Sequence, residues 1–244
     1  FLNPKRVSTA LFERHFTRVA PDECERLGGY LMDAARLSSD SVVYSVGVAT
    51  NTEFDEEVAG RFGCTVHLFD PTPLAIEYMV SLSRDRRKNL VFSPIGVWTS
   101  SGTVKFYYMG KSNTPSANMS IVNLDGSSDF FEGEVKTIDA IMRELGHNHI
   151  DVLKMDIEGA AIEVLNDALD KQVFPTQIAV EFERPRPWSG TLRFFRELGN
   201  LLRRLERLDY VVYRMPRDRK KFHSLDVLAI RGPRAGADDD PTLV

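Results

Sequence analysis

At 244 residues with 43% hydrophobic side chains, the chain is long enough to bury one full core, and α/β domains of this length usually form a single unit. A net charge of −4 argues against a general nucleic-acid binder, and no apolar run approaches the ~18 residues of a membrane span. Two cysteines, Cys24 and Cys64, fit neither a disulfide framework nor a zinc spacing, so a reducing, cytoplasmic setting is the expectation. Phe1 in place of a methionine leaves room for an upstream targeting or anchoring segment.

Residues 1–40 read as a helical extension. Pro21-Asp22-Glu23 suits a helix start, and Leu27, Tyr30, Leu31, Ala34 and Leu37 recur at helical spacing. Residues 41–232 then form the main domain. It opens with a buried strand (Val42, Val43, Tyr44, Val46), a tight turn at Gly47, a helix from about Thr52 to Phe62 and a strand from Val66 to Phe69 that ends in Asp70.

This strand-turn-helix-strand unit is half of a nucleotide-binding βαβ motif, with Asp70 lying 23 residues beyond Gly47, where a carboxylate accepts from a ribose diol. The turn reads Gly47-Val48-Ala49-Thr50-Asn51-Thr52 and lacks the G-x-G-x-x-G that lets a pyrophosphate approach bare backbone, which disfavours a nicotinamide dinucleotide. Glu53, Asp55, Glu56 and Glu57 already complement the positive helix end and would repel phosphate. A nucleoside without phosphates that carries a sulfonium and an amino group suits this mouth better, and that ligand is S-adenosylmethionine. The cofactor-binding candidates are Ser45, Gly47, Val48, Thr50, Asn51, Glu53, Asp70, Pro71 and Thr72.

After Asp70, Pro73 opens a helix carrying Leu74, Ile76, Met79, Val80 and Leu82. A short strand at Leu90–Ser93 follows, and the segment after it, Ile95, Gly96 and Val97, is placed beside an adenine ring. Gly102 turns the chain into the alternating strand Val104–Tyr108, read as a hairpin added to the sheet edge. Residues 110–135 are long, polar and rich in Ser, Asn and Gly, the composition of a lid-like insertion. Val135–Leu145 gives a strand and a helix, and Ile150–Met155 a buried strand ending in Asp156 and Glu158. A helix with Ala161, Val164, Leu165 and Ala168 inward comes next, then a strand from Gln177 to Phe182 with Glu181 and Glu183, and a long helix from Thr191. The strands Tyr210–Arg214 and Leu225–Ile230 close the domain, and residues 233–244 have the composition of a disordered tail.

The expected fold is therefore α/β: a Rossmann-like, seven-stranded, mostly parallel, doubly wound sheet with one antiparallel strand. Such sheets bind ligands beyond the carboxyl ends of their strands, where Asp70, Asp156, Glu158, Glu181 and Glu183 all fall. His147 and His149 sit at the opposite end, His67 lies within a strand, and His223 belongs to a loop within reach of the rim. The candidate catalytic groups are Asp156, Glu158, Glu181 and Glu183. Asp156 and Glu158 are equally suited to orienting the cofactor's amino group, and neighbouring carboxylates are also able to hold a divalent cation.

Ser45-Val46-Gly47 and Phe69-Asp70-Pro71-Thr72, combined with Leu153-Lys154-Met155-Asp156-Ile157-Glu158-Gly159-Ala160, resemble the FkbM-like S-adenosylmethionine methyltransferases over residues 41–230. The resemblance implies a class I methyltransferase fold and methyl transfer to a hydroxyl of a sugar or natural product. Three positions depart from the family's usual pattern: Ala161 replaces an acid, Glu183 a histidine, and Ala49 or Thr50 a second glycine. Those departures keep open a catalytically silent binding module. From Arg184 to Lys221, twelve Lys or Arg face four acids, which keeps open an RNA methyltransferase, although a solvated basic face is the simpler account. The partner expected is a small-molecule or glycan acceptor.

Overall fold

The computed structural model describes residues 24–108, 119–123, 126–183, 190–214 and 224–232. In chain order the elements are β1 (Cys24–Leu27), β2 (Tyr30–Asp33), β3 (Val43–Val46), α1 (Glu53–Phe62), β4 (Val66–Phe69), α2 (Pro73–Ser81), β5 (Leu90–Ser93), β6 (Gly96–Val97) and β7 (Gly102–Tyr108). They continue with β8 (Met119–Ser120), β9 (Phe130–Lys136), α3 (Ile138–Leu145), β10 (Val152–Met155), α4 (Ala161–Asp170), β11 (Gln177–Glu183), α5 (Thr191–Arg207), β12 (Tyr210–Arg214) and β13 (Ser224–Arg231).

Seven strands form one mixed sheet in the order β12-β13-β11-β10-β3-β4-β5. Neighbours from β11 to β5 are parallel, while β13 runs antiparallel to both β11 and β12. The central strands β3 and β10 are buried along their whole length, which is why they read as mostly apolar runs, broken only by Ser45 and Lys154, rather than alternating ones. Their alternate residues feed two cores. Tyr44, Val46, Leu153 and Met155 pack with α3, α4 and α5, while Val43 and Val152, with Leu68 of β4, pack with α1, α2 and the β1–β2 hairpin. The chain leaves β3 toward β4 and β5 on one side and reaches β10 and β11 on the other, so a crevice opens between β3 and β10 at their carboxyl ends.

Two expectations are corrected. Residues 24–33 are not helical: Gly28 (φ +49°) and Gly29 (φ +93°) form a two-residue turn between β1 and β2, with Leu27 registered on Tyr30. Left-handed glycine pairs match the twist of a hairpin, and this Gly-Gly outweighs the helical spacing of the apolar residues around it. The hairpin is pinned to the sheet by the fully buried amide of Gln177, which accepts from Asp33 N–H (2.8 Å) and donates to Asp33 C=O (3.0 Å). Residues 1–23, the proposed helix start included, lie outside the described residues.

The segment after β5 is not an addition to the main sheet. It forms a separate four-stranded sheet, β6-β9-β7-β8, with its own small core of Phe106, Met119 and Val135. The end of the lid-like stretch is part of it, because residues 130–135 pair with β7. Residues 109–118 and the tail from 233 lie outside the described residues. Among the described residues no helix is long and apolar enough to cross a membrane.

Candidate active site

The crevice holds a cavity of about 210 Å³ whose walls come from four parts of the chain. The turn after β3 supplies Gly47, Val48, Ala49 and Asn51. The end of β4 supplies Asp70, Pro71 and Thr72. The loop after β10 supplies Asp156, Ile157 and Glu158, and the small sheet forms a roof with Gly96, Val97, Phe106 and Met119. Gly47 is required by the close approach of two loops: at φ +81°, a Cβ would lie 1.9 Å from the carbonyl oxygen of Asp156. Ala49 takes a left-handed conformation (φ +47°), which favours glycine.

Asp70 organises this turn. Its Oδ2 accepts from the N–H groups of Val48 (2.9 Å) and Ala49 (2.8 Å), and its Oδ1 from the N–H (2.9 Å) and hydroxyl (2.6 Å) of Thr72. All four acceptor positions of the carboxylate thus have protein donors, and the carboxylate still lines the cavity. Thr72 also caps α2 by accepting from Ala75 N–H at 3.3 Å.

At the opposite wall, Tyr30 of the hairpin donates to Asp156 Oδ2 at 3.0 Å, with its ring 5.2 Å from Lys154 Nζ and edge-on to Phe54. Burial, followed by the Asp156 charge, holds the Tyr30 phenol protonated far above its usual range. Glu158 has a left-handed backbone (φ +39°), and its carbonyl accepts from the buried hydroxyl of Ser120 in the roof. Its carboxyl is pushed up to about 9, first by burial and then by a hydrogen bond and the charge of Glu183, with Asp156 and Glu181 adding to the effect. β11 stays extended through Glu183, so Glu181 and Glu183 flank buried Phe182 on one strand face. Glu183 also meets Glu158, which lies in the loop after β10.

Of the residues singled out from sequence, Gly47, Val48, Asn51, Asp70, Pro71, Thr72, Gly96, Val97, Asp156 and Glu158 line the cavity. Ser45 is fully buried beneath it, Thr50 and Glu53 are exposed outside its lining, and Ile95 packs into the main core. Sequence reasoning missed Tyr30, Phe54, Asp55, Phe106, Met119 and Lys154. Lys154 carried a signal, a lone cation in a buried strand, whereas Tyr30 was obscured by the helical reading of the hairpin. His147 lies at the far end of the sheet, bonded to Tyr44 OH at 2.8 Å, and burial lowers the pKa values of His67 and His147. His223 lies outside the described residues. Among the described residues no group of three or more His, Cys, Asp or Glu is arranged to hold a metal ion.

The methyltransferase FkbM domain model matches residues 41–212, which is more than half of the chain. The chain belongs to the FkbM methyltransferase family. Its cofactor is S-adenosylmethionine. The FkbM domain resembles several solved structures. Aeropyrum pernix fibrillarin, solved with natively bound S-adenosyl-L-methionine, is 12% identical over 80% of this chain and 68% of its own, at a TM-score of 0.45. An rRNA methylase from Streptococcus thermophilus is 12% identical over 82% and 92%, with a TM-score of 0.44. The N-methyltransferase NodS from Bradyrhizobium japonicum is 11% identical over 95% and 99%, with a TM-score of 0.42. No curated protein matches the chain.

The residues present fit the FkbM cofactor. The cavity pairs an apolar roof (Val97, Phe106, Met119) suited to a base with a polar floor (Asp55, Lys154, Asp156) suited to an amino-acid end, and the bare backbone of Gly47 lies between them.

Proposed function

We propose that this protein transfers a methyl group from S-adenosylmethionine to a hydroxyl of a sugar or small natural product, on a Rossmann-like sheet of the class I methyltransferase type. The observation that carries the reading is Glu158, which lines the cavity and whose carboxyl burial and the neighbouring Glu183 push up to about 9, because O-methylation needs a proton acceptor. The cofactor, when bound, supplies a methyl group on a sulfonium.

The chain's own residues do the rest. Gly96 and Val97 border the base, and Asp70, its four acceptor positions taken by Val48, Ala49 and Thr72, shapes the turn that lies against the ribose rather than accepting from its hydroxyls. Tyr30 fixes Asp156 by its 3.0 Å hydrogen bond. Holding an acceptor oxygen in line with the methyl group provides much of the rate on its own. As the C–O bond forms, the alcohol proton passes to the ionised oxygen of the Glu158–Glu183 pair. The carboxylates that line the cavity, Asp70, Asp156 and Glu158 among them, favour a neutral polyol over a phosphate backbone, which makes nucleic acid the poorer acceptor.

The test is methyl transfer from labelled cofactor to a panel of sugars and hydroxylated metabolites by the wild type and by Glu183→Gln. The reading expects a labelled ether, and a fall in turnover of ~10²-fold in the variant with cofactor affinity retained. Cofactor binding without transfer to any hydroxyl would instead support a silent binding module.

A further inference from the structure

The turn that carries Glu158 has a backbone that a glutamate rarely adopts. Glu158 (φ +39°) and Gly159 (φ +83°) are successive left-handed residues, and Ala160 N–H closes on Ile157 C=O at 3.1 Å, the pattern of a type I′ turn. Gly, Asn and Asp dominate the central positions of such turns, because in a left-handed residue the Cβ crowds the carbonyl that follows it. A glutamate in that conformation persists only where its surroundings hold it there.

What holds it comes from both sheets. On the main-sheet side, Asp156 N–H donates to Val46 C=O at 2.9 Å, which ties the start of the loop to the end of β3. On the small-sheet side, Ser120 of β8 donates its hydroxyl to Glu158 C=O. Ser120 is 2% exposed, and its Oγ also accepts from Val122 N–H at 3.0 Å, so the proton and a lone pair of the hydroxyl are both committed. β8 is anchored in turn, with Ser120 registered on Tyr107 and Met119 on Tyr108 of β7. Met119 and Ile121, which flank Ser120, line the cavity together with Glu158. The hydroxyl therefore joins the roof of the pocket to the peptide that aims the Glu158 carboxyl.

We propose that Ser120 is a positioning residue for Glu158: its hydrogen bond to the Glu158 carbonyl keeps the left-handed turn in place and so holds the carboxyl at the cavity wall beside Glu183. The assignment rests on the reading of Glu158 as proton acceptor. Without the hydroxyl, the Glu158 carbonyl loses its partner and the turn relaxes toward an ordinary conformation, which carries the side chain toward water. Burial first, and then Glu183, raise the Glu158 carboxyl to about 9, and Asp156 in the same loop and Glu181 on β11 act in the same direction. A carboxyl released from that setting titrates closer to its ordinary value.

The test follows the glutamate carboxyl carbons of the full chain by carbon-13 NMR across a pH titration, with the Glu158 signal assigned by its absence in Glu158→Gln. Wild type should show a carboxyl with a midpoint of about 9. Ser120→Ala should lower that midpoint by about one pH unit or more, while calorimetric affinity for S-adenosylhomocysteine stays within about twofold of wild type. Ser120→Thr keeps the hydroxyl and Ser120→Val replaces it with a methyl group, so this pair controls for bulk. Ser120→Thr should retain the high midpoint and Ser120→Val should lose it. An unmoved midpoint in Ser120→Ala, with or without a loss of S-adenosylhomocysteine affinity, would overturn the role of Ser120. Where Ser120→Ala fails to fold, the other pair decides, and equal midpoints in Ser120→Thr and Ser120→Val overturn it. Wild type with no glutamate titrating above pH 7 would refute the raised carboxyl and with it the reading of Glu158 as proton acceptor, whereas a midpoint near 9 in wild type and Ser120→Ala alike would refute only the role of Ser120.

Discussion

Replacing Glu158 by Gln tests the raised carboxyl through stability alone, with no activity assay. Glutamine imitates the protonated carboxyl, keeps its volume and can still donate to Glu183. The wild-type group is raised from an ordinary glutamate value near 4.5 to about 9, so the native state holds a proton that the unfolded chain has lost. Its stabilising effect is therefore complete below pH 4.5 and disappears as pH rises toward 9. Each pH unit in that window removes at most ~1.4 kcal/mol. Water at the pocket mouth and adjustment of Glu183 lower that ceiling, leaving roughly 2–3 kcal/mol across the whole window. Urea unfolding of wild type and Glu158→Gln at pH 5 and pH 9 measures it directly. The variant should be close to wild type at pH 5 and more stable by that amount at pH 9. Parallel losses for both proteins between the two pH values would refute the buried-proton account.

Further consequences follow from the same geometry. Tyr30→Phe removes the donor to Asp156 and should weaken S-adenosylhomocysteine binding by ~1.5 kcal/mol, an effect that vanishes in an Asp156→Asn background if it acts through that carboxylate. Asp70→Asn presents an amide N–H to donors on one side of the side chain, so both unfolding free energy, by about 2 kcal/mol, and cofactor affinity should fall. Ala49→Gly relieves a left-handed alanine and should raise stability by about 0.5–1 kcal/mol in urea, the relief exceeding the entropy cost of glycine; a net loss would show that the turn is not strained. In the reaction, turnover should climb as pH rises toward 9, where the Glu158–Glu183 pair gives up its proton.

The parts of the fold legible in the sequence are those where one physical signal acts alone. β4 and β5 were read at their observed bounds because short apolar runs between turn residues leave little choice of register. Asp70, Asp156 and Glu158, which line the cavity, were singled out because the carboxyl ends of buried strands are the one place where an open sheet binds ligands. The hairpin at 24–33 was misread because Leu27, Leu31 and Ala34 satisfy a helical period, while Gly28 and Gly29 carry the turn. The small sheet was invisible as a unit, since β6 and β9 are far apart in sequence and pair only after the chain has folded. The partners within the site were equally hidden. Alternation along β11 puts Glu181 and Glu183 on one strand face, but it carries no sign that Glu158, in the loop after β10, also meets Glu183. Asp55 looked like one of several acids at a helix start until its burial set it apart.

The central claim is that the pocket methylates a hydroxyl with help from the Glu158–Glu183 pair. Its most direct test is mass spectrometry of the products formed when the protein, methyl-labelled S-adenosylmethionine and a small-molecule extract are incubated together. The account predicts label on oxygen, as a methyl ether of a polyol, and its loss in Glu183→Gln. Label recovered on nitrogen or on RNA, or formed equally well by Glu183→Gln, would contradict it.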